Sequence, residues 1–157
     1  MIALNPYEAE GIMNAQFLAR FSTAETLALI GYQPAILWAG NELNAKPDST
    51  KYFVRVSHQT VLERQANLSN CEGIAGQKRY RIDGLTFVQI FCPSSDKQVA
   101  RKGLQLATIA RNAFRGGAAH SDQDTIWFYN ARINKLPIEN DLHRLNVVAE
   151  HEYDELG

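Results

Sequence analysis

The sequence predicts an α+β domain: a mostly antiparallel four-stranded sheet, two main helices on one face, and a short extended segment near 36–38. Three observations carry this expectation. Apolar residues recur every three or four positions in two separate stretches, as on one face of a helix. They alternate in four others, as in strands with one buried side. The resulting order of helix, short extended piece, strand, strand, helix, strand, strand suits an antiparallel sheet with its helices on one side. The 157 residues contain no internal repeat, low-complexity tract or dividing linker, so residues 1–157 read as a single domain.

The first helix begins after Pro6, with acidic residues favourably placed near the N-terminal dipole. Ile12, Met13, Phe17 and Phe21, with Ala9 and Ala24, form its apolar face, and a Met and Phe stripe of this kind packs into a core. "STAE" at 22–25 fits a capping box, with Ser22 as cap and Glu25 at the third position, so the helix breaks there and restarts. Gly31 and Pro34 stop it.

In "KYFVRVSHQTVLER", Tyr52, Val54 and Val56 point one way, and Phe53, Arg55 and Ser57 the other. "QANLSNCEGIAGQ" has no periodicity and reads as an exposed loop. Strand character resumes in "KRYRIDGLTFVQIFCP", where Asp83-Gly84 marks a bulge or a hairpin turn. From Asp96 to Phe114 the pattern is helical, with Val99, Gly103, Leu106, Ala107, Ala110 and Phe114 in one stripe; its small residues bring the helix close to the sheet. "RGGAAHSDQD" reads as a flexible connection. "TIWFYNARINKLP" and "HRLNVVAEHEYDE" are strands separated by a turn around Pro137 to Asp141.

A formal charge of −1 argues against a dedicated nucleic-acid binder, which needs clustered Lys and Arg. The two cysteines, Cys71 and Cys92, are too few for a secreted disulfide scaffold or a four-ligand zinc site, which points to a reduced cytosolic setting. No signal peptide and no apolar run of about 20 residues is apparent, so a soluble protein is expected.

Cys92 sits between a strand and a helix, where a thiol can be activated. Yet "CPSSDKQ" lacks a phosphate-cradling glycine, and the next arginine, Arg101, is well inside the helix. A helix cap from Ser94, Ser95 or Asp96 explains the stretch more simply. His58, His120, His143 and His151 show no metal-ligand spacing and read as surface or strand-edge residues, although His58 and His151 could face each other across paired strands. Glu150, Glu152 and Asp154 share one strand face, read as solvated, and Trp38 and Trp127 read as core. No catalytic, metal or cofactor site is expected, and the chain does not read as an enzyme. The rival from another class is a small hydrolase or ligand-binding enzyme using Cys92; a nucleic-acid-binding module is a further one.

Three segments together resemble one family. "QPAILWAGNELNAKPDSTKYFVRVS" is similar to its apolar piece, Trp, Asn, Pro-containing loop and first strand. "KRYRIDGLTFVQIFCPSSDKQVARKGLQLATIARNAF" resembles its central strand, Pro loop and helix ending on Phe, and "NVVAEHEYDE" its closing strand. The family is the tail-terminator-like proteins of long-tailed phages and prophages, and the likeness runs from Ile12 to Asp154.

The resemblance implies a structural virion protein forming a hexameric ring on the tail tube. Such a ring ends tube polymerisation and offers the head-completion or neck proteins an attachment surface. It would sit at the neck end of the tail, or in the host cytoplasm during assembly, with DNA only passing through the lumen and no membrane involved. Another head–tail neck or connector protein is the nearest alternative.

A ring subunit needs two different complementary patches. The loop from Gln65 to Gln77 is the candidate arm that orders on assembly, flanked by Arg64, Lys78, Arg79 and Arg81. The acidic run Glu150, Glu152, Asp154 and Glu155 stands opposite, and both charge groups are candidate interface residues.

Overall fold

The computed structural model describes residues 5–39, 48–66, 76, 78–115, 126–139 and 141–156. Cys71, His120 and nearly all of the 65–77 loop lie outside these residues. In chain order the elements are α1 (Pro6–Phe21), α2 (Ala24–Ile30), β1 (Ala35–Trp38), β2 (Phe53–Gln65), β3 (Arg79–Pro93), α3 (Val99–Asn112), β4 (Trp127–Glu139) and β5 (Leu142–Leu156). The class is α+β as expected, but the sheet has five strands, ordered β1-β2-β3-β5-β4. The extended segment near 36–38 is its edge strand β1, and it runs parallel to β2, with Ala35 beside Phe53 and Trp38 beside Val56. All other pairings are antiparallel.

Alternation decides which side is which. Val54 and Val56 of β2, Ile82, Val88, Ile90 and Cys92 of β3, and Leu145, Val147, Ala149 and Tyr153 of β5 are buried towards the helices. Ala9, Met13, Phe17 and Phe21 supply the buried face of α1, while the exposed Ala24 stands outside it. Phe17 stacks on Phe21 and on Phe114, with centroids 4.9 and 5.9 Å away.

α1 and α2 are separate helices, so the expected break is present, but its chemistry differs. The cap of α2 is Thr23, without a side-chain bond; the capping box belongs to α1, where Asn5 and Glu8 exchange bonds of 2.9 and 3.1 Å. Before α3, Asp96 accepts from the Gln98 backbone N–H at 2.9 Å and from the Tyr52 hydroxyl at 2.9 Å, and it meets Lys102 at 3.4 Å. These contacts hold its carboxyl below the usual carboxylate range, the Gln98 N–H contributing most. The cap of α3 is Gln98, without a side-chain bond, so the expected cap from Ser94, Ser95 or Asp96 is absent, and Asp96 instead ties Tyr52, just before β2, to the turn ahead of α3.

Asp83-Gly84 is not a turn: β3 runs straight through it, and the bulge lies in β2 opposite, between Thr60 and Leu62. A Cβ at Gly84 would stand 2.5 Å from the Gln59 carbonyl oxygen and 2.6 Å from His151 Nε2. Gly103 plays the matching part on α3, where a Cβ would meet Cys92 Sγ at 2.8 Å, so this glycine sets how closely the helix approaches the sheet. Because backbone cannot yield as a flexible side chain can, Gly84→Ala is expected to destabilise the fold by about 2 kcal/mol or more in urea unfolding. An alanine variant as stable as the parent would show that the strands shift freely there.

Candidate functional site

Helices cover one face of the sheet, and the other carries six of the candidate interface residues, Arg64, Arg79, Arg81, Glu150, Glu152 and Asp154. Most of them are already paired within the chain. Asp154, only 3% exposed, accepts from Arg79 at 3.0 Å and from Arg81 Nε at 2.9 Å. Arg81 also approaches Glu152 at 3.6 Å. Arg64 meets Asp83 at 3.6 Å, and Glu150 meets Arg132 at 3.7 Å and the Asn130 amide at 2.8 Å.

Glu150, Glu152 and Asp154 do share a face, as expected, but Asp154 is not solvated. Register explains this: Arg81 lies directly opposite Asp154 and Arg79 opposite Leu156, so two guanidinium groups flank one carboxylate. Lys78 just precedes β3, and the half-buried Glu155 points to the other side of β5.

The rest of the open face is apolar and aromatic. Phe53 and Phe91 stack with centroids 4.6 Å apart, and the Arg55 guanidinium lies over the Phe91 ring at 5.6 Å. Trp127, placed in the core by the sequence reading, stands on this face at the sheet margin and is 48% exposed.

Beneath the sheet lies a polar cluster that sequence reasoning missed. His151 is buried, not at the surface or a strand edge, whereas His58 is half-buried on the part of β2 beyond its pairing with β1. Thr86 stands between them, its Oγ1 3.0 Å from His58 Nδ1 and 2.9 Å from His151 Nδ1, and His58 Nε2 lies 2.7 Å from Asn14 Oδ1 of α1. Since the amide oxygen only accepts, His58 Nε2 carries the hydrogen, and its Nδ1 accepts from the Thr86 hydroxyl. Thr86 then accepts from His151 Nδ1–H. The Met13 sulfur, 3.7 Å from Thr86, competes weakly for the single hydroxyl hydrogen. Burial lowers both imidazoles to about 4, and the charge of His58 adds to the effect on His151. Hydrogen-bonded through Thr86 and Asn14, the pair joins three strands to α1.

Cys92 is fully buried, and burial pushes its thiol up to about 12, with the Asp96 charge adding to the shift. A groove of about 730 Å³ between α1, α2 and α3, lined by Arg20, Thr23, Leu29, Gln105 and Ile109 among others, has neither histidine nor cysteine in its wall. Among the described residues no cluster of His, Cys, Asp and Glu could hold a metal ion, and no helix is long and apolar enough to cross a membrane.

No family model and no curated protein matches the sequence. One solved structure superposes with a TM-score of 0.59 at 14% identity, over 92% of this chain and 94% of that one. At that identity the likeness shows a shared fold alone.

Two outcomes follow from the buried polar groups. Removing the carboxylate with Asp154→Ala leaves two arginines facing each other, and is expected to cost about 3 kcal/mol in chemical denaturation. A loss below ~0.5 kcal/mol would mean that water already solvates the pair. The histidines bind protons less readily folded than unfolded, so their contribution is complete above the ordinary value of 6.5 and is lost as pH falls towards about 4. Urea midpoints should therefore fall steadily across that window. In His58→Gln the fall should be shallower; an unchanged slope in that variant would contradict the assignment.

Proposed function

We propose that the chain is a tail-terminator subunit of a long-tailed phage or prophage. It forms a ring, hexameric by the family resemblance, on the end of the tail tube, where it ends polymerisation and receives the head-completion or neck proteins. It acts by contact and not by chemistry.

The observation that carries this reading is the one-sided sheet. Five long or edge strands have helices on a single face, and the face left open carries Arg55, Arg64, Arg79, Arg81 and Arg132 beside Phe53, Phe91, Trp127 and Tyr129. Arginine and aromatic side chains are the types enriched where proteins meet. Four of these five arginines also meet carboxylates within the chain, and Arg55 lies over Phe91, which suits docking with little unpaired charge. The element order supports the resemblance: the segment around Trp38 is an edge strand followed by β2, and the central unit is β3, a Pro loop and α3 ending beside Phe114.

Against the enzyme alternative stands Cys92. A thiol that is fully buried and held protonated cannot supply the thiolate that nucleophilic chemistry uses. The neck or connector alternative uses the same surfaces and differs only in the step it serves.

Electron microscopy of particles made without this chain separates these readings. A terminator's loss gives tails of uncontrolled, excessive length. Tails of normal length that fail to join heads would assign the neck role instead, and normal, head-bearing tails would overturn both.

A further inference from the structure

We infer that His58, Thr86, Met13 and His151 form a one-proton latch between the sheet and α1. The first proton is taken at His58 Nδ1 with every hydrogen bond kept, and a second is taken only when His58 leaves the cluster and lets go of Asn14.

The first ground is a count of hydrogens. A hydroxyl has one hydrogen to give and two lone pairs to receive with. In the neutral cluster Thr86 gives its hydrogen to His58 Nδ1 at 3.0 Å and receives His151 Nδ1–H at 2.9 Å, so one lone pair is unused. A proton added to His58 Nδ1 turns that nitrogen from acceptor to donor. The hydroxyl then rotates, takes both imidazole N–H groups on its two lone pairs, and gives its own hydrogen to the Met13 sulfur 3.7 Å away. His58 Nε2–H stays on Asn14 Oδ1 at 2.7 Å. No bond is lost, and the two that His58 makes become charge-assisted.

The second ground is the difference between the two rings. His151 already carries its hydrogen on the nitrogen that faces Thr86. Its other nitrogen, Nε2, faces the gap over Gly84 and has no hydrogen-bond partner among the described residues. His151 is also only 2% exposed, whereas His58 is half-buried. The first proton therefore belongs to His58.

Repulsion is the third ground. The ring centroids lie 6.2 Å apart. Two unit charges at that distance, at an effective dielectric of about 20, hold the second uptake about two pH units below the first. His58 is the ring that can move into water and relieve this, and its departure breaks the bond to Asn14 of α1.

The surrounding charges favour the first proton from a distance. Burial, and then the charges of Glu155 of β5, Glu63 of β2 and Glu10 of α1, raise the Tyr153 hydroxyl to about 12, and the Tyr153 ring stacks on His151 at 6.2 Å. β3 contributes Gly84 and Thr86, β4 contributes Phe128, and α3 stands behind Phe128 through Phe114; none of these titrates. Burial of the two imidazoles opposes the proton, which places the event in acid. The latch is independent of the terminator reading.

Nuclear magnetic resonance of the full chain, followed from about pH 7 down to about pH 3, tests it across the acid side of histidine titration. The His58 ring signals should move first, while the His151 ring and the α1 amides stay as they are. His151 should follow only as the α1 amides begin to exchange faster. His151 protonating first, or both rings titrating together, would overturn the proposal. Met13→Leu keeps the volume and removes only the acceptor that the turned hydroxyl needs, so it should lower the His58 midpoint by about half a pH unit and leave the urea midpoint at neutral pH unchanged. Thr86→Val, which removes the hydroxyl, should lower the His58 midpoint further, and Thr86→Ser should titrate as the parent does. A His58 midpoint that ignores both Met13→Leu and Thr86→Val would contradict the latch.

Discussion

Successive side chains of a strand point to opposite faces, and along β3 that rule partitions the whole molecule. Its even-numbered residues from Ile82 to Cys92 face α1 and α3, and include the Thr86 hydroxyl and the Gly84 gap. Its odd-numbered residues, from Arg79 and Arg81 through Asp83 to Phe91, face away from the helices. Because β2 and β5 flank β3 in fixed register, they inherit the same division. One side must therefore satisfy a dry helix layer, while the other keeps side chains that can meet a partner.

Buried polar groups make that register hard to change. His58, Thr86 and His151 lie on three adjacent strands, and Asn14 of α1 closes the chain from above. A slip of one residue would carry the imidazoles to the open face and drive Asp154 into the helix layer. Asp154 performs the same service on the open side, since only its present position lets Arg79 and Arg81 reach it together. Gly84 ties both effects to local geometry, as its missing side chain is what lets the Gln59 carbonyl and the His151 ring share one space. Most of the charges that the sequence reading assigned to partners, Arg64, Arg79, Arg81, Glu150, Glu152 and Asp154, therefore act first within the chain.

Much of this could be read from residue spacing. The stripe of α1, the break before α2, the alternation of β2 and the small-residue stripe of α3 all have direct periodic signals, and each element lies where expected. β1 was legible only as a short extended piece, because four residues carry too little alternation to reveal a parallel partner. The histidines were readable in principle: His58 continues the buried series Tyr52, Val54, Val56, and His151 continues Val147, Ala149. Their polarity weighed more than their phase, and the Thr86 hydroxyl that satisfies them is visible only once three strands are aligned. Asp154 was misplaced for a related reason. Alternation set its face correctly, but the two arginines that cover it come from a strand over 70 residues away in sequence. Trp127 failed in the opposite sense, as an aromatic at a sheet margin has the same local signature as one in a core.

The proposed tail-terminator role rests on a sheet with one face packed dry against helices and the other lined with paired arginines and carboxylates. Hydrogen exchange, compared between the free chain and tails assembled with it, tests that proposal most directly. Slowed exchange along the strands of the sheet, with α1 and α3 unchanged, is the result the proposal predicts. Slowing confined to the helices, with the sheet still exchanging as in the free chain, would contradict it.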